Sequence, residues 1–228
     1  MARVAVLGGS KGCARAMVVQ SLSNNANHEF KLLIRNPNKL EESYTKEQLS
    51  KVTIIEGDAL DVVAVKETIR NTDVVIFSVG SGMDIMKRKM LQPGLCKDAM
   101  TVLLEAMSQL SNDDVDSRPK HLVAVSTTGL DGMKEVPFLL QPLYKFLLHE
   151  PHQDKLAMER LIENNEIQGL NWIIVRPSLL TDGQVTGKYR ANVGISGYTI
   201  SRDDVGHFLW NQCVLAEVWN NKKVVVTY

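Results

Sequence analysis

The sequence predicts an α/β chain organised around a doubly wound, mostly parallel sheet. Three observations carry this. Short apolar runs alternate with longer stretches of helical spacing along the chain. Most of the runs are continuous rather than alternating, as strands covered on both faces require. A glycine-rich turn stands between the first run and the first helical stretch.

Taken in order, the first strand is Val4 to Leu7, ended by Gly8-Gly9; it is too short for a signal peptide or a membrane span. Helical spacing follows from Cys13 to Leu22. Lys31 to Ile34 and Val52 to Ile55 read as strands, then Ala59 to Arg70 as a helix capped by Asp58 or Asp61. Val74 to Phe77 is the fourth strand and Leu95 to Leu110 the next helix. The polar stretch from Ser111 to Pro119 is a surface loop ahead of the fifth strand, Leu122 to Val125. Pro151 to Asn164 is helical and Trp172 to Val175 a strand. Residues 178–200 hold Gly183, Gly187, Gly194 and Gly197 without a period, which predicts a small irregular cap over the C-terminal edge of the sheet. Ser201 with Asp204 resembles a capping box with a short acid, opening a helix from Arg202 to Val218. Val224 to Val226 is the last strand. No composition shift divides the chain, so residues 1–228 are expected to form one domain.

With 228 residues, 44% of them hydrophobic, the chain can bury a full core. Twenty-six basic side chains balance twenty-six acidic ones, so no broad field attracts nucleic acid or an anionic membrane. A small-molecule substrate recognised by a local site is the expected partner, and a monomer or homodimer the expected assembly. Cys13, Cys96 and Cys213 are scattered, with neither metal spacing nor a disulfide framework, which fits a reducing, cytoplasmic compartment. No His, Cys and Asp constellation points to a metal, and no Gly-x-Ser-x-Gly elbow points to a hydrolase.

The turn reads Gly8-Gly9-Ser10-Lys11-Gly12-Cys13-Ala14. Its place between first strand and first helix aims backbone N–H groups and the positive helix end at one point, suited to a pyrophosphate. Gly8 permits the tight turn, Gly12 lets the backbone approach phosphate, and Ala14 is small enough for close helix–strand packing. The fold is therefore expected to be Rossmann-type, with a dinucleotide at this turn. About 20 residues beyond the glycines an NAD site carries an acid. Here the second strand ends in Arg35, followed by Asn36-Pro37-Asn38-Lys39. An arginine fork pairs with a 2′-phosphate that an acid repels, so NADP(H) is preferred over NAD(H), with Lys11 and Lys39 adding charge. Asp58 is placed to accept from the adenine amino group with Ala59 and Leu60 beside the ring, or to cap the following helix. Ser78-Val79-Gly80, small residues after the fourth strand, let the backbone run beside the nucleotide.

Together these residues resemble the short-chain dehydrogenase/reductase superfamily, in its atypical, NmrA-like and biliverdin reductase B-like branch. The resemblance rests on Gly8-x-x-x-Gly12-x-Ala14, Ile34-Arg35-Asn36-Pro37, Gly57-Asp58, Val125-Ser126-Thr127, Asp154-Lys155 with Glu159, Arg176-Pro177 and Ser201-Arg202-Asp203-Asp204-Val205. It implies that Ser126 is the active-site serine, that Lys155 serves the nicotinamide ribose, and that Pro177 borders the cofactor. The family's Tyr-x-x-x-Lys pair is absent: Pro151 stands four residues before Lys155, and Tyr144 lies eleven before it. Arg15 stands where atypical members commonly have a third glycine.

For catalysis this leaves Ser126, Lys155 and His152, with His149 as a neighbouring donor candidate. Ser126, Thr127, Tyr189 and Tyr198 are candidate substrate contacts. Each has a plainer alternative: a strand-end hydroxyl, a Lys155–Glu159 ion pair one helical turn apart, an exposed histidine, cap packing. Met83, Met86 and Met90 can form a pocket lip or fill core. Phe138, Leu139, Leu140, Leu143, Phe146 and Leu147 make an apolar patch that suits a lid, a substrate wall or a dimer face. Three functions stay open: an NADPH-dependent reductase of a small, largely apolar carbonyl, quinone or conjugated compound; an NADP(H)-binding redox sensor without turnover; and a non-redox isomerase or lyase on the same fold.

Overall fold

The computed structural model describes residues 1–23, 28–84, 89–130, 132–142, 144 and 149–228. In chain order its elements are β1 (Arg3–Leu7), α1 (Gly12–Ser23), β2 (Glu29–Ile34), α2 (Lys46–Leu49), β3 (Val52–Glu56), α3 (Val62–Ile69) and β4 (Val74–Phe77). The short β5 (Met83–Asp84) and β6 (Lys89–Met90) precede α4 (Leu95–Asp113), β7 (His121–Val125), α5 (His149–Glu163) and β8 (Asn171–Pro177). The chain then forms β9 (Leu179–Thr181), β10 (Arg190–Asn192), β11 (Thr199–Ser201), α6 (Arg202–Phe208) and β12 (Lys222–Thr227).

Among the described residues the main sheet runs β10-β12-β8-β7-β4-β1-β2-β3. All its pairings are parallel except that of β10 with β12. From β1 the chain winds outward through β2 and β3, then returns to lay β4 on the other side of β1. That reversal opens a crevice between the ends of β1 and β4, where doubly wound sheets bind ligands.

The continuous apolar runs have a direct cause. Val4 and Val6 face a core shared with Met17, Val205 and Phe208, while Ala5 and Leu7 face one shared with Val65, Leu103 and Met158. Successive side chains point to opposite faces, so a strand under helices on both sides has no polar side.

Several boundaries differ from the sequence expectation. Asp61, not Asp58, caps α3: its carboxylate accepts the Val63 amide at 2.9 Å, and Asp58 closes a turn onto the Leu60 amide instead. The helix consequently begins at Val62 rather than Ala59. Residues 178–200 are less irregular than expected, since β9 pairs with β11 and β10 extends the main sheet. Ser201 does accept the Asp204 amide at 3.0 Å. Asp204's short side chain turns instead to the Thr186 and Gly187 amides, both at 2.8 Å, and to the Tyr228 hydroxyl at 2.6 Å. One carboxylate thereby ties the cap loop to the chain's last residue. The final helix leaves α geometry after Phe208 and runs as a π-helix over Leu209–Leu215.

Met86 of the methionine run and Leu143, Phe146 and Leu147 of the apolar patch lie outside the described residues. Met90 is buried, whereas Phe138 and Leu139 are exposed. Among the described residues no helix is long and apolar enough to cross a membrane.

Candidate active site

The glycine turn sits at the crevice between β1 and β4. Gly8 has φ +88°, and a Cβ there would lie 2.5 Å from the Ser78 carbonyl oxygen, so β1's exit presses directly on β4's. At Gly12, the first residue of α1, and Gly80, beyond β4, a Cβ would meet nothing within 4 Å apart from the adjoining backbone. The turn therefore leaves open room at the N-terminus of a helix, beside the sheet's C-terminal edge.

A residue the sequence does not single out supports this turn. Tyr44, buried, donates its hydroxyl to the Gly9 carbonyl at 2.5 Å. Arg15 lies over the Tyr44 ring, 5.8 Å from its centroid, and donates Nε to the Ser43 carbonyl at 2.6 Å. The residue standing at a common third-glycine position thus clamps the loop after β2 against the glycine turn. Nothing local to Tyr44 marks it, because its partner is 35 residues away.

Arg35 follows β2 directly. Its guanidinium is two-thirds exposed and only 3.9 Å from the half-exposed Asp58 carboxylate, a loose pair in solvent. Both groups stand open on the crevice rim, with Lys11 and Lys39 also exposed. Ala59 is half-buried and Leu60 exposed beside them, while Val79 is buried beneath Gly80.

On the other side of the crevice α5 supplies the charge. Lys155 donates Nζ to the Val79 carbonyl at 3.1 Å and the Val125 carbonyl at 2.8 Å, bridging the chain beyond β4 with the end of β7. The ion pair with Glu159 that helical spacing permits is not made. Glu159, fully buried, accepts instead from Ser126 Oγ at 2.5 Å and from Arg176 Nε at 3.0 Å and Nη2 at 2.5 Å. Arg176, itself 1% exposed, reaches Glu135 through Nη1 at 2.9 Å, and Lys223 joins Glu163 at 2.8 Å on the outer side. Asp154, next to Lys155, caps α4 across space by accepting the Cys96 and Lys97 amides at 3.0 and 2.9 Å. The residue before α4 is Gly94, which has no side chain to do this.

Ser126 is thus buried with its only proton given to a carboxylate; Thr127 beside it is half-buried. Thr128, one residue further, is within 3.3 Å of the Tyr144 hydroxyl, so the tyrosine the sequence leaves remote from Lys155 belongs to the segment after β7. Its phenol is raised above the ordinary range by burial. His152 packs edge-on against Tyr144, ring centroids 5.4 Å apart, and burial together with His149 lowers its pKa to about 4. Tyr189 engages His207 Nδ1 at 2.8 Å and packs on Phe208, while Tyr198 is exposed. Burial and the nearby Asp204 push the Tyr189 phenol up to about 12. Pro177 ends β8 and accepts the Thr128 amide at 3.2 Å, which joins it to the β7 exit.

The fold is that of a Rossmann-type protein with its glycine turn at the crevice where such sheets bind nucleotides. The chain belongs to the NAD(P)H-binding family, whose model matches residues 8–214. It is 29% identical to "Reductase pytE" of Aspergillus terreus, with 99% of this chain and 97% of the relative covered. It is likewise 29% identical to "Oxidase pynE" of Aspergillus niger over 98% of each chain. Among solved structures it resembles a short-chain dehydrogenase/reductase (wide type) from Veillonella parvula in complex with NADP. That likeness has a TM-score of 0.78 at 17% identity, covering 100% of this chain and 94% of the other. ChuY, an anaerobillin reductase from Escherichia coli O157:H7, matches with a TM-score of 0.68 at 19% identity, covering 99% and 96%. The family and the curated relatives place the chain among oxidoreductases.

Proposed function

We propose that the chain is an NADPH-dependent oxidoreductase that reduces a small, largely apolar carbonyl, quinone or related conjugated compound. The observation that carries this reading is Lys155, whose ammonium α5 delivers to the β4 and β7 exits on the crevice beside the glycine turn. NADPH, when bound, supplies a hydride. The room at Gly12 and Gly80 fits its diphosphate and ribose, and the N–H groups opening α1 face the diphosphate. Arg35, with Lys11 and Lys39, neutralises a 2′-phosphate. Ser10, Cys13, Ala14, Ser78 and Val79 line the approach, with Asp58 and Ala59 on the adenine side. Lys155 offers its ammonium to the nicotinamide ribose. Thr127 meets the substrate oxygen, Ser126 joins it when its hydroxyl turns from Glu159, and the one proton that completes the reduction after hydride transfer comes from solvent, because Pro151 occupies the place of the family's acid. The buried, unbridged thiols Cys13, Cys96 and Cys213 fit a cytoplasmic setting.

The test is oxidation of NADPH, followed by its nicotinamide absorbance, with menadione as acceptor. Turnover is expected, and Lys155→Met should lower kcat/KM by on the order of a hundredfold. Equal rates in the two proteins would remove Lys155 from the chemistry. The sensor reading draws on one observation, that Ser126's proton is already engaged by Glu159. It predicts that NADP+ and NADPH both bind while no acceptor is reduced.

A further inference from the structure

Beyond the end of β7 the structure holds a cavity of about 360 Å³, at the small end of ligand-binding pockets. Its walls are mainly apolar: Leu130, Met133, Leu156 and the Tyr144 ring line it, with His149, His152 and Gln153 as its other side chains. His152 is 7% exposed, and its Nε2 is buried with no hydrogen-bond partner among the described residues. A buried nitrogen left unsatisfied is costly, and natural cores rarely keep one without a use.

The loop that walls the cavity packs closely against this imidazole. Gly129 has φ +88°, and a Cβ there would strike Tyr144 and Val136 at 2.9 Å and approach His152 Cε1 at 3.3 Å. The loop can therefore come this close to the imidazole only as glycine. Glu135, on the same loop, is ion-paired with the buried Arg176 of β8, so the wall is anchored to the sheet. On α5, His152 lies one helical turn before Lys155, which bridges the β4 and β7 exits. The cavity and the nicotinamide side of the crevice are thus served by the same helix.

Resting on the reductase reading, we infer that this cavity is the substrate site and that His152 is its buried polar contact, donating Nε2–H to the oxygen of a compact cyclic ketone or quinone. Being neutral above a pKa of about 4, the imidazole gives a hydrogen bond rather than an acid proton. It positions and selects the substrate; it does not protonate it. The apolar walls take the rings, and the limited volume turns away extended substrates.

The experiment uses the full chain, ¹⁵N-labelled at histidine, with NADP+ present so that no turnover occurs, and menadione as the probe. Menadione should bind the wild-type complex and shift the His152 ring nitrogens, with Nε2 carrying the proton. His152→Phe keeps a ring against Tyr144 and Gly129 but removes the nitrogen. It should bind menadione at least tenfold more weakly while NADP+ affinity, read by calorimetry, holds. His152→Gln, which restores a donor, should recover part of the loss. Ring nitrogens unmoved by menadione, no menadione binding, or equal binding by His152→Phe each overturn the inference while leaving the nucleotide reading intact. Failure of NADP+ to bind the wild type overturns that underlying reading instead.

Discussion

The two flanks of the crevice are built in opposite ways. The nucleotide flank, from β1 to the turn after β3, presents backbone amides and charges that remain in solvent: Arg35, two-thirds exposed, stands 3.9 Å from the half-exposed Asp58. The α5 flank buries its charges. Glu159 and Arg176 are almost wholly out of water, and they lock Ser126, Glu135 and α5 into one arrangement. The first flank must accept and release a highly charged ligand, so its charges are left without strong internal partners. The second must hold geometry between turnovers, and a buried, multiply bonded ion pair does that at a desolvation cost.

The largest effect that can break this comparison is on stability. Arg176→Ala leaves Glu159 and Glu135 buried without their shared cation, and should cost about 3–5 kcal/mol, read as a lower urea midpoint. Arg35→Ala, on the exposed flank, should stay within about 0.5 kcal/mol of wild type in the same measurement. Comparable losses in the two variants would erase the distinction between the flanks.

A smaller effect concerns pH. His152 in the folded protein titrates at about 4, below the ordinary 6.5. Below about pH 6.5 the unfolded chain takes up this proton while the folded chain refuses it until about pH 4, so the stability present above about pH 6.5 is lost as pH falls toward 4. Wild type should therefore lose more stability than His152→Phe between pH 7 and pH 4.5, measured by urea midpoints of both. Parallel losses would mean that the imidazole is not held neutral.

What was legible in the sequence follows the same division. The nucleotide flank is contiguous: strand, glycines, helix start and Arg35 lie within 35 residues, and each imposes its geometry on its neighbours. The α5 flank is assembled across the chain. Lys155 and Glu159 are one turn apart, and spacing alone favours their pairing. The pairing loses because Arg176, 17 residues further on, enters the core beside Glu159 while the β4 and β7 carbonyls take Lys155. Asp154 capping α4 is equally invisible, since its partners lie 57 and 58 residues away. Among strands, β10 escapes notice because Arg-Ala-Asn carries no apolar run; backbone pairing with β12 makes it a strand. Tyr44 is the corresponding gap on the nucleotide flank, a support there that comes from outside the contiguous motif.

The central claim is that the opening of α1 grips a dinucleotide diphosphate while Arg35 selects the 2′-phosphate. Calorimetric titration of wild type and Arg35→Ala with NADP+ and NAD+ tests it most directly. The account predicts tighter binding of NADP+ by wild type, a loss of about tenfold or more for NADP+ on replacing Arg35, and little change for NAD+. No heat with either nucleotide, or equal losses for both in the variant, would contradict it.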